Sequence, residues 1–121
     1  MIRKKGKETI IKMKVKYSVE DIKRLGKDKS DENLPLLLEL FQTDDLSVEV
    51  KREVVSSIGR KKNLDAVYQF LQENAFKTST LMVYVYQMFR TCLYRQFVDN
   101  RFLQLKQRIL DFYQNEVLYK M

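Results

Sequence analysis

The chain has no histidine and no tryptophan, one cysteine, one proline and three glycines in 121 residues. The missing histidines remove Ser–His and Cys–His nucleophile pairs and every imidazole-ligated metal site. A single cysteine, Cys92, cannot assemble a zinc or iron–sulfur centre or an internal disulfide, so the fold needs no oxidising compartment. Its place inside an apolar run reads as core packing. Gly6, Gly26 and Gly59 are too far apart for a phosphate-cradling loop. So few turn residues also speak against sandwiches and barrels, and for helices with short connections. No apolar run approaches the ~20 residues that span a bilayer, and the charged start lacks the apolar centre of a signal peptide. The expectation is a soluble cytoplasmic protein with no membrane contact.

With 45% apolar residues, the chain can bury a core as one domain. Its charge is uneven. Residues 1–16 carry seven basic groups (Arg3, Lys4, Lys5, Lys7, Lys12, Lys14, Lys16) and one acid, Glu8, so six of the seven net positive charges lie there. These residues show no apolar period and no cap, and read as a flexible basic arm before a domain over 17–121. The sequence from Met13, MKVKYSVEDIKRLG, also reads as a natural beginning, which would make residues 1–12 an upstream start.

Apolar residues recur at three and four throughout the domain, which predicts an all-α fold without a sheet. Ser18, with Asp21 three residues on, opens a short helix that Gly26 is expected to end. Ser30-Asp31-Glu32 opens the next, with Pro35 in its first turn and Leu34, Leu37, Leu38 and Phe41 as its stripe. After the turn Thr43-Asp44-Asp45, Ser47 caps a helix with Val50, Val54, Val55 and Ile58 inward. Gly59 either closes it in a left-handed cap or admits a neighbouring helix. Asn63-Leu64-Asp65 opens a second pair, in which Val67, Phe70 and Leu71 fall 33 residues after Leu34, Leu37 and Leu38. Thr78-Ser79-Thr80 is expected to cap LMVYVYQMFRTCLYR, apolar on most of its circumference and so suited to the middle of a stack. A last helix covers about Arg101–Tyr113, with Phe102, Leu105, Ile109, Phe112 and Tyr113 in phase.

The stretch LPLLLELF, a polar turn and VKREVVSSIG resembles a HEAT repeat. The resemblance is carried by Leu34, Leu37 and Leu38; Asp44 and Asp45; Val50 and Lys51; Val54, Val55 and Ser57; and Ile58-Gly59. It departs at Lys51, where that family favours Arg, and at Val54 and Val55, where it favours Ala. Residues 63–95 match only in helix pattern, with Leu93 or Arg90 where a closing glycine would stand. The resemblance implies a short right-handed α-solenoid of about five helices, whose units bury their apolar faces by stacking; the alternative is an irregular helical bundle. It also implies a protein-binding surface more strongly than a DNA-gripping one.

Neighbouring carboxylates such as Asp44-Asp45 and Glu20-Asp21 point about 100° apart on a helix, and read as turn and cap chemistry. No cofactor, metal or catalytic group is expected. The candidate site is a polar stripe along the second helices. Tyr84, Gln87, Arg90, Thr91, Tyr94 and Arg95 are expected outward on one, with Tyr86 and Phe89 in the core. Glu49, Arg52, Glu53, Ser56 and Arg60 are expected outward on the other. Arg52, Arg60, Gln87, Arg90, Tyr94 and Arg95 would then bind a partner, their guanidinium forks suiting carboxylates or phosphates. The expected function is a non-catalytic protein-interaction adaptor. The alternative is a DNA or RNA binder using the arginine face and basic arm, and a small enzyme acting on nucleic acid ranks last. An apolar end patch near Phe112, Tyr113 and Leu118 is the rival contact surface.

Overall fold

A computed structural model of the chain describes residues 17–93 and 99–118, with the side chains of 117 and 118 left out. The arm at 1–16, and Tyr94 and Arg95, lie outside the described residues. Among the described residues the fold is all-helical, with six α-helices where about five were expected. They are α1 (Val19–Lys27), α2 (Leu34–Phe41), α3 (Val48–Gly59), α4 (Leu64–Asn74), α5 (Met82–Thr91) and α6 (Asn100–Phe112), followed by a π-helical turn, Tyr113–Leu118.

Four helices begin where a side chain can accept the first free amides. At α1 the Ser18 hydroxyl accepts from the Asp21 amide at 3.1 Å while Asp21 accepts from the Ser18 amide at 2.9 Å, a complete capping box. Ser47 caps α3, Asn63 caps α4 and Asp99 caps α6 in the same sense. Helix α2 instead relies on Pro35 in its first turn, where no amide is needed. The expected threonine-serine cap of α5 is not made. Leu81 occupies the cap position without a side-chain bond, and Thr80 donates its hydroxyl to the Asn74 carbonyl at 2.8 Å. That hydroxyl finishes α4 rather than starting α5. Nor does Gly26 end α1, which runs on to Lys27.

The reason lies in packing. A Cβ on Gly26 would stand 2.4 Å from the Ser57 hydroxyl oxygen and 2.6 Å from an Arg60 nitrogen, so a bare backbone lets α1 lie against α3. Gly59 repeats the device: a Cβ there would stand 2.9 Å from the Thr91 carbonyl oxygen. None of the described glycines has a positive φ, so Gly59 serves close approach and not a left-handed cap. The two contacts share a register. Ser57 donates to the carbonyl of Ile22, four residues before Gly26, at 3.1 Å. Cys92 donates its thiol to the carbonyl of Val55, four residues before Gly59, at 3.7 Å. Helices α1, α3 and α5 therefore form one row with their C-terminal halves together and α3 in the centre; α2 packs on α3. Across this row, hydrogen-bonded side chains reach partners 31 to 37 residues away.

Helices α2, α4 and α6 form a second set of neighbours. Phe41 meets Phe70 edge-on at 5.2 Å, Tyr68 meets Phe102 at 5.8 Å, and Arg101 bonds Asp65 at 2.8 Å. The core contains Val54, Val55, Ile58 and Leu37 of the first pair and Val67, Leu71, Met88 and Leu105 beyond it, all fully buried. Each such side chain contributes about 1.5–3 kcal/mol by leaving water. The α2 stripe is wider than expected, since Leu40 is buried with Leu34, Leu37 and Phe41 while Leu38 is only half-buried.

Lys61 is fully buried. Its Nζ donates to the carbonyls of Leu25, Asp28 and Ser30 at 2.9, 2.6 and 3.1 Å, closing the C-terminal end of α1, where orphan carbonyls collect. Burial pushes its pKa below the ordinary lysine value, and the charges of Asp28 and Asp31 oppose that push.

Candidate binding surfaces

Helix α5 is turned differently from the expectation. Tyr84 is buried, its ring edge-on to Phe41 at 5.5 Å, while Tyr86 is 59% exposed. Gln87 is buried too. Its amide nitrogen donates to the buried Ser56 hydroxyl at 2.6 Å, and its oxygen accepts from Arg52 Nη2 at 3.3 Å. Thr91 donates to the Gln87 carbonyl at 2.8 Å. The side that packs is thus Tyr84, Gln87, Met88 and Thr91, at helical spacing. A helix apolar around most of its circumference does not fix its own rotation. Here the glycine contact and the Ser56–Gln87 bond fix it, and the inward polar groups are paired, as burial requires.

The predicted arginines consequently have separate roles. Arg52 is half-buried and tied to Gln87, and its Nε is buried without a partner among the described residues. Arg60 lies at the surface, bonded to Glu53 at 3.2 Å. Arg90 is exposed, its guanidinium 6.0 Å above the ring of Tyr86. The structure brings Arg52 and Gln87 together as an interior link and leaves Arg60 and Arg90 facing solvent.

The exposed residues that the sequence reading missed are Met82 and Tyr86, at 49% and 59% exposure. They stand eight and four residues before Arg90 and make one stripe with it; that spacing was visible in the sequence. Of the expected end patch, the Leu118 side chain lies outside the described residues and the other two are not open. Tyr113 is buried and donates to the Lys77 carbonyl at 3.3 Å, and Phe112 packs edge-on against Phe76 at 5.6 Å. The exposed apolar groups of α6 are Leu103 and Leu110 instead.

A second surface lies between α2 and α4: a shallow cleft of about 370 Å³ with Leu38, Ala66 and Phe70 along it and Glu39 and Glu73 at its edges. Among the described residues no three His, Cys, Asp or Glu side chains gather closely enough to hold a metal ion, and no helix is long and apolar enough to cross a membrane. No family model, no curated protein and no solved structure matches the chain.

Proposed function

We propose that this chain is a short HEAT-like α-solenoid that works as a non-catalytic protein-interaction adaptor, with Tyr86 and Arg90 of α5 and Arg60, just past the end of α3, as the centre of its contact face. The carrying observation is Tyr86, a large aromatic side chain 59% exposed on a rigid helix with a guanidinium over its ring. Tyrosine and arginine are the residues that most often hold interface energy, and a helix presents them at little ordering cost. The solenoid reading is supported by the twice-used register of Gly26 with Ser57 and Gly59 with Cys92. Arg52 and Gln87 hold α3 and α5 in place behind the face; Tyr94 and Arg95 extend it in sequence.

The expected partner is a protein with a carboxylate for Arg90 beside an apolar group for Tyr86 and Met82. The second reading is DNA or RNA binding, favoured by the net charge of +7. Affinity capture with the parent and with a Tyr86→Ala/Arg90→Glu variant, compared by quantitative mass spectrometry, tests the adaptor. A set of proteins retained by the parent and lost by an equally stable variant supports it. Identical sets remove this face from consideration. Nucleic-acid binding that weakens steeply between 50 and 200 mM salt would favour the second reading, because phosphate contacts release counterions.

A further inference from the structure

The cleft between α2 and α4 departs from the rest of the molecule in charge. The chain is strongly basic, yet no lysine or arginine lines this cleft. Glu39 is exposed and its carboxylate has no hydrogen-bond or ion-pair partner among the described residues. Glu73 is exposed and accepts from the Gln69 amide nitrogen at 2.8 Å. Gln42 donates its own amide nitrogen to Asn74 at 3.3 Å, leaving its side-chain oxygen to accept. The cleft therefore offers acceptors and an apolar surface of Leu38, Ala66 and Phe70, with no cation supplied from within.

We propose that this cleft is the docking site of the chain's own N-terminal segment, residues 1–16. That segment holds Lys4, Lys5, Lys7, Lys12, Lys14 and Lys16 with Arg3, interrupted by the apolar Ile10-Ile11 and Met13. Lysine amines meet Glu39 and Glu73, and the apolar residues lie along Phe70 and Leu38. Sixteen extended residues span about 50 Å, well over the ~18 Å length of the twelve-residue α3. The attraction is between exposed charges, so it is a salt-sensitive, reversible contact. This surface is distinct from the Tyr86–Arg90 face and does not depend on it.

The test is zero-length carbodiimide coupling of the full-length chain at low ionic strength, followed by digestion and mass spectrometry of the monomeric product. The expected result is amide linkage of lysines in 1–16 to Glu39 or Glu73. These links should be lost in 1 M salt, where the screening length falls to about 3 Å. They should be unchanged in a Tyr86→Ala/Arg90→Glu variant. Three outcomes overturn the proposal: coupling spread equally to the exposed acids Glu32, Asp44 and Asp45; links confined to a dimeric product, which assigns the cleft to a second copy; or arm-to-cleft proximity that survives high salt.

Discussion

The contact of α1 with α3 and that of α3 with α5 solve one problem twice with different chemistry. Each places a glycine of the earlier helix against the later one, and each has a side chain of the later helix donate to the carbonyl four residues before that glycine. The donor is a hydroxyl in the first case and a thiol in the second. The first contact is closed by the Lys61 ammonium on three carbonyls, and the second by Gln87 between Ser56 and Arg52. What repeats is the geometry of approach; the groups that seal it do not.

The largest test of that difference removes the seal of the first contact. Lys61→Met keeps the bulk and strands the carbonyls of Asp28 and Ser30, each costing about 1–3 kcal/mol if left unpaired, while the Leu25 carbonyl keeps the Asn33 side-chain amide at 3.0 Å. Allowing for water reaching one of them, we expect a loss of about 2 kcal/mol in denaturant unfolding. A loss below about 1 kcal/mol would mean that the clasp is replaced by solvent at no cost.

Next comes the glycine pair. Alanine gains about 1 kcal/mol of helix propensity at either position, and the clash opposes that gain. At Gly26 the two nearest obstructing atoms are the Ser57 hydroxyl and an Arg60 nitrogen, ends of side chains that can turn, with the Ser57 Cβ behind them at 2.9 Å; at Gly59 the two nearest are Thr91 backbone, which cannot. Gly59→Ala should therefore cost about 2 kcal/mol and Gly26→Ala about 1 kcal/mol or less. Equal melting temperatures for the two variants would show that the two contacts are alike in rigidity and that this difference is not real.

A smaller effect is expected from exchanging the donors. Cys92→Ser gives the second contact the group the first already uses, so it should stay within about 1 kcal/mol of the parent, while Cys92→Val loses the donor and leaves Val55's carbonyl without that bond. If the serine variant is the worse of the two, the shared register carries no energy.

Acid should act elsewhere and least. Asp21 is held below its ordinary 3.8, first by the Ser18 amide and then by Arg24. Asp99 is held below the same 3.8, first by the Arg101 side chain and then by its amide. A carboxylate depressed in the folded chain contributes stability above its unfolded pKa and loses it as pH falls through that value toward the lower folded one. Hydrogen exchange below pH about 4 should therefore loosen the first turns of α1 and α6 before the centre of α3. Protection that falls first in α3 would contradict this.

Much of the helix pattern was legible because caps and periodicity are local. Ser18, Ser47 and Asn63 start helices where the sequence placed them, and Val50, Val54, Val55 and Ile58 point inward as their spacing required. Rotation of α5 was not legible, because it is set by partners more than 30 residues away: Ser56 takes Gln87 inward and Gly59 admits Thr91. A polar residue with a waiting partner is as much a core residue as an apolar one, and hydropathy cannot see the partner. The candidate site suffered for the same reason. Arg52 and Gln87 were sought on the surface and belong to the interior, while Tyr86 was sought in the core and stands outside it. Lys61 gave no local sign, since the middle residue of the basic run Arg60-Lys61-Lys62 reads as solvated.

The Lys61 clasp also imposes an order on synthesis. The carbonyl of Asp28, just past the end of α1, is satisfied by a residue 33 positions later. At ribosomal rates of roughly 5–20 residues per second, that residue arrives about 2–7 s after Asp28 is joined. A nine-residue helix has too few internal bonds to hold itself in water. Helix α1 must therefore wait, its end not yet closed, for a lysine that has not yet been translated.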